Sequence, residues 1–191
     1  MKISDSLTEK LLVVASKISN QKHMYAIKTA FTTLMPVIIT GAFCTLIVNV
    51  VCSTETTGIS LAKVQGFSWL EMFTDLFNAA NYATLNFFTI AAVVLIGLEL
   101  GVKNGIKGFM TGIVAVCSFV ACLSTNIVAT VGEESITVAG IAKDYTASKG
   151  LFLGMIIALL SVELFKKLCK SKYLQINMLD SVPSNVTSNF N

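Results

Sequence analysis

The sequence predicts an all-α fold: a polytopic membrane helix bundle of about four transmembrane helices, preceded by an N-terminal amphipathic helix. Three observations carry this. Only 13% of the 191 residues are charged while 54% are hydrophobic, and a soluble domain carries roughly 25% charged residues. The mean hydropathy is +0.74. The apolar residues also fall in long blocks rather than in the short-period pattern of a water-exposed surface. This composition excludes a disordered chain and argues against a soluble enzyme. All 14 basic residues are Lys, so the chain has no planar fork for phosphate or base edges. No nucleic-acid partner is expected; the lipid bilayer is.

Residues 1–28 are not apolar enough to cross. Ile3, Leu7, Leu11, Leu12, Val14, Ala15 and Ile18 recur at three- and four-residue steps, with Lys10, Lys17 and Asn20 mostly on the other side. This pattern predicts an amphipathic helix on the cytoplasmic membrane surface, with Ser4 or Asp5 as its N-cap. Docking of a soluble partner is the sharper alternative.

A membrane domain is expected over residues 29–168. Its first span, 29–52, is free of charge and reaches about 36 Å, enough to cross a core of about 30 Å with tilt. Pro36 and Gly41 lie within it, which lipid-embedded helices tolerate. The run is longer than the h-region of a cleaved signal, so a retained span is expected. Further spans are expected at about 82–102, 106–131 and 150–168, with 169–191 a cytoplasmic segment leading toward a next span. Between the first two, Trp69, Phe73 and Phe77 predict an interfacial helix over 67–78; Trp there suits a membrane–water boundary, and a stacking platform for sugar is the less favoured reading. Ser135-Ile-Thr-Val-Ala-Gly140 is a β-like stretch that suggests a small hairpin in the loop 132–149.

Orientation follows from the lysines. With the N-terminus inside, eleven fall on the cytoplasmic side, and only Lys63, Lys143 and Lys149 fall outside. That bias predicts a multi-pass protein of the cell membrane with both termini cytoplasmic, and makes the Asn185-Val-Thr187 glycosylation match idle.

Little in the chain suggests reaction chemistry. Glu99 and Glu163 are the acidic residues within the predicted spans, and such charges deserve a functional hypothesis. Each has a Lys four residues on, Lys103 and Lys167, so end-of-helix pairs are preferred to a proton or substrate relay. His23 is the sole histidine and lacks a second partner for nucleophilic or shuttle chemistry; it is expected at headgroup depth. Cys44, Cys52, Cys117, Cys122 and Cys169 show no metal-ligand spacing. No catalytic residue, cofactor or metal is expected. Gly97-x-x-x-Gly101 and Gly108-x-x-x-Gly112 suit close helix packing.

Two segments resemble a known family. His23-Met-Tyr-Ala26-Ile27-Lys28-Thr-Ala-Phe31, followed by Met35-Pro36 and Gly41-Ala42-Phe43, is similar to the start of the first span in enzyme IIC, the membrane component of the bacterial phosphotransferase system, lactose/cellobiose/chitobiose branch. That branch tends to read H-L-x-A-I-(R/K)-D-G-F, then M-P and G-S-F; here Thr29-Ala30 replace Asp-Gly and Ala42 replaces Ser. Gly150-Leu151-Phe152 and Met178-Leu-Asp180-Ser-Val182-Pro183-Ser-Asn-Val186-Thr-Ser-Asn-Phe190 resemble the family's G-L-F span and M-P-E-x-V-P-P-x-V-x-x-S-F. Leu179 and Ser184 depart from its usual Pro, and Asn189 from its Ser.

The resemblance implies a dimeric permease that takes up a disaccharide and presents it to a phosphorylated cytoplasmic partner, enzyme IIB, as part of a sugar phosphotransferase complex. It also implies that the family's sugar-contacting His and Glu belong to a later half. No residue here matches them, so no substrate-binding residue is assigned. The chain is expected to be an N-terminal scaffold and dimerisation half. A small stand-alone membrane interaction protein, or a truncated product without transport activity, is the alternative.

Overall fold

The computed structural model describes residues 21–55, 58–106, 108–131 and 134–171. The expected amphipathic helix and the second family-like segment fall largely outside these residues. The described chain is mostly helical. Helix α1, Lys22–Ile47, runs on through a π turn, Val48–Cys52. A 3-10 turn over Ser68–Phe73 leads into α2, Thr74–Asn81. A second π turn, Tyr82–Asn86, joins α2 to α3, Phe88–Lys103. Then come α4, Met110–Ala121, strands β1, Asn126–Val131, and β2, Glu134–Ala139, the short α5, Lys143–Thr146, and α6, Leu151–Cys169.

Two helical stretches, Lys22–Cys52 and Ser68–Lys103, are long and apolar enough to cross a membrane. Helix α6 occupies nearly the residues of the expected fourth span and carries Glu163, Lys166 and Lys167 in its last turns. The first helix starts at Lys22 rather than at residue 29, because its polar first turns find partners, described below. The second helical stretch absorbs the expected interfacial segment, in which the Trp69 and Phe73 rings meet edge-on at 6.0 Å.

The third span is corrected. The apolar run 106–131 is helical only over Met110–Ala121, about 18 Å of helix, and the all-α expectation gives way to a mostly helical fold with one β-hairpin. The reason lies in Ser124-Thr125-Asn126, which breaks the helix, and in the β-branched Ile127 and Val128 that follow. A short apolar run does not distinguish helix from strand by periodicity. The hairpin expected from Ser135–Gly140 is present, and its partner strand comes from the supposed span: β1 and β2 are antiparallel, in register from Asn126↔Ala139 to Val131↔Glu134. The Gly140 N–H donates to the Thr125 carbonyl at 2.8 Å and closes the open end.

The chain divides into two compact units, one of 1–32, 93–122 and 155–191, the other of 33–92 and 123–154. In the first, Ala26 and Ala30 of α1, Val93, Ile96 and Leu100 of α3, Ala115 and Phe119 of α4, and Ala158 and Val162 of α6 are wholly buried. Their three- and four-residue spacing gives each helix one inward stripe. Helices α3 and α4 approach closely through small residues. A Cβ on Gly97 would lie 2.7 Å from that of Ala115, and one on Gly101 would lie 2.7 Å from that of Thr111. Gly97 and Gly101 thus do what their spacing suggested. Gly108 does not: it sits in the α3–α4 connection with φ +100°, a left-handed conformation that favours glycine.

In the second unit, polar side chains of α1 satisfy themselves on the helix's own backbone. The Thr40 hydroxyl donates to the Pro36 carbonyl at 2.8 Å, and Thr45 to Gly41 at 2.9 Å, as a helix in hydrocarbon requires. The Asn81 amide donates to the Thr45 hydroxyl and to the Gly41 carbonyl, fastening α2 to α1. Phe43 and Leu46 stay more than half exposed, which suits a lipid-facing surface. The buried Thr89 hydroxyl donates to the Ala147 carbonyl at 2.5 Å and holds the chain after α5 against α3.

Candidate functional site

The one extended charged cluster among the described residues lies within the first unit. It joins the start of α1, the residue after α3 and the end of α6. Glu163 is at its centre. Its Oε1 accepts from Lys22 Nζ at 2.5 Å and from Asn104 Nδ2 at 3.1 Å, and His23 Nε2 lies 3.3 Å away. Asn104 works in both directions, since its Oδ1 accepts from Lys22 Nζ at 3.3 Å and from Lys166 Nζ at 2.8 Å. The side chains are part-buried, 27% exposed for Glu163 and 38% for Lys22. Beside them the Lys103 ammonium stands 3.7 Å from the centroid of the Tyr25 ring, a cation–π contact.

Both expected helical pairs are therefore corrected. Glu163 pairs with Lys22 rather than Lys167, and Lys103 faces Tyr25 while Glu99 makes no ion pair among the described residues. An i, i+4 pair on an exposed helix is worth only a few tenths of a kcal/mol. A part-buried carboxylate that collects a cation, an amide and an imidazole gains more than that. His23 sits beside a carboxylate, a partner its sequence context did not indicate. The members stand 59, 82 and 141 positions apart, so no local spacing announces the cluster; the signal available was polar residues at the ends of otherwise apolar helices.

Chemically the arrangement is a tie. A carboxylate can only accept, an ammonium can only donate, and Asn104 bridges them because an amide does both. Among the described residues, no side chain in it is a nucleophile set against a base. The five cysteines are free. Cys44 and Cys52 are buried while Cys117 and Cys122 are exposed.

Two helical stretches long and apolar enough to cross a membrane fit an integral membrane helical protein. The family follows from comparison with known proteins. A family model described as "Phosphotransferase system, EIIC" matches residues 28–191. The lichenan permease IIC component of Bacillus subtilis (strain 168) is 29% identical over 196 residues, covering 99% of this chain and 41% of that protein. The cellobiose-specific EIIC component of Geobacillus stearothermophilus is 28% identical over 189 residues, covering 96% of this chain and 40% of that protein. Among solved structures, the transporter ChbC, the IIC component from the N,N'-diacetylchitobiose-specific phosphotransferase system, aligns with a TM-score of 0.79 and 26% identity. It covers 96% of this chain and 42% of its own. The chain belongs to the phosphotransferase system EIIC family, a family of integral membrane permeases. It spans about two fifths of the length of these relatives.

Proposed function

We propose that the chain is the scaffold portion of an EIIC permease that takes up a disaccharide of the cellobiose class, with phosphorylation by a cytoplasmic enzyme IIB partner. The observation that carries this reading is the extent of the likeness: 96% of the chain superposes on a chitobiose-type transporter, and relatives named for lichenan and cellobiose match nearly end to end on this side. The scaffold role rests on the chemistry of the first unit. The polar centre among its described residues ties helices to each other, whereas transporters hold a substrate near the midplane between broken helices.

Four crossing segments, the third of them short, place both ends of the chain in the cytoplasm in this reading. Lys22, Lys103 and Lys166, assigned to one side by charge alone, do gather at one end of the first unit, which supports the sidedness. The described helices would also form much of a homodimer surface.

The test is enzyme IIB-dependent phosphorylation of cellobiose by membranes. Membranes with this chain alone should give none, and membranes that also hold the remaining part of a cellobiose-specific EIIC relative should give activity. Phosphorylation by the chain alone would refute the scaffold role, and none in either case would refute the sugar class.

A further inference from the structure

Helix α6 brings together an apolar groove and a cation, Lys167, that has no partner among the described residues. The groove lies between α4 and α6 in the first unit and has a volume of about 390 Å³, lined by Val114 and Ser118 on one side and Leu160, Ser161, Leu164 and Leu168 on the other. Its walls are hydrocarbon apart from two hydroxyls and a thiol. Leu160 is 66% exposed and Leu164 59%, so nothing in the chain as described covers them.

The charge follows from the tie around Glu163. Lys167 stands four residues after Glu163, but that carboxylate is taken by Lys22, His23 and Asn104, and Lys166 is taken by Asn104. Lys167 is exposed and makes no hydrogen bond or ion pair among the described residues. It lies three residues after Leu164 and seven after Leu160, so helical geometry sets it on the flank of the groove-lining face, in the last turn of α6. Lys170, also exposed, follows just beyond.

We propose that this groove holds an acyl chain of an anionic phospholipid whose phosphate is bound by Lys167. The inference rests on the reading that α6 lies in the bilayer. Charge complementarity selects this occupant. An apolar helix packed over the same face would have to cover Lys167 without supplying an anion, and an unpaired charge is costly to bury. An anionic lipid supplies hydrocarbon for the groove and negative charge at the depth where the helix ends, on the leaflet that such lipids make negative.

The experiment is native mass spectrometry of the full chain, purified in detergent and titrated with phosphatidylglycerol and, separately, phosphatidylcholine. The unaltered chain should bind phosphatidylglycerol more tightly than phosphatidylcholine. Lys167→Gln should weaken phosphatidylglycerol about fivefold, the effect of one lysine near a lipid surface. Leu164→Trp, which fills the groove, should abolish the preference between the two lipids. Lys28→Gln, the same charge change at an exposed position of α1, should leave it intact. Equal losses in Lys167→Gln and Lys28→Gln would overturn the proposal, as would a preference that survives Leu164→Trp. A dimer that Leu164→Trp dissociates without any change in lipid binding would assign the groove to a second copy and also overturn it. Release of the chain from membranes by alkaline washing would instead defeat the bilayer reading, which separates the two failures.

Discussion

Lys22 and Glu163 form an ion pair at 2.5 Å although 141 positions separate them. The pair fastens the first turn of α1 to the last turns of α6, and Asn104 locks the α3–α4 connection onto both. Removing the carboxylate by Glu163→Gln leaves Lys22 and Lys166 converging on Asn104 with no anion. The expected loss is about 1–3 kcal/mol, the cost of an unsatisfied part-buried group. Unfolding in detergent, followed as Tm, reads it. In a double-mutant cycle with Lys22→Met, the two losses should fall short of additive by about 1 kcal/mol.

The α3–α4 contact makes a sharper steric prediction. Gly101→Ala sets a methyl 2.7 Å from the Thr111 Cβ, and Thr111 is wholly buried. Overpacking of this kind costs about 1–3 kcal/mol. Thr111→Ala should restore part of the lost Tm in the double variant, because it removes the hydroxyl and γ-methyl that also clash while the β-carbon contact remains.

Asn81 ties α2 to α1 through Thr45 and Gly41. Asn81→Leu should lower Tm by the equivalent of about 1 kcal/mol, since hydrogen bonds inside membrane proteins average somewhat less than that. Asn81→Ala should cost more than Asn81→Leu, because it opens a cavity as well.

Residues 126–131 separate a strand from a membrane-buried helix. Val128 is 67% exposed on β1, so Val128→Cys should react with a membrane-impermeant maleimide added outside intact cells. Leu46→Cys, lipid-facing on α1, should not. Protection of Val128→Cys in intact cells would restore the longer third span.

These differences show what the sequence made legible. The long apolar blocks around α1, α3 and α6 stand out because hydrocarbon solvation demands them wherever the helices end up. Gly97 and Gly101 were legible for a similar reason: their smallness is a property of one helix face. The strand at Ile127 and Val128 was hidden, because an apolar run of that length reads equally as helix or strand until its partner, β2, is placed. The partner of Glu163 was hidden too. A local rule nominated Lys167, and tertiary folding brought Lys22, His23 and Asn104 closer. Gly108 satisfied a packing pattern and serves a turn.

As proposed above, these helices form the scaffold of an EIIC permease and hold no sugar themselves. The most direct measurement is the change in Tm on adding cellobiose to the purified chain, beside the same chain extended through the rest of the EIIC length. A cellobiose-dependent rise is expected in the extended protein and none in the 191-residue chain. A comparable rise in the chain alone would contradict the scaffold reading.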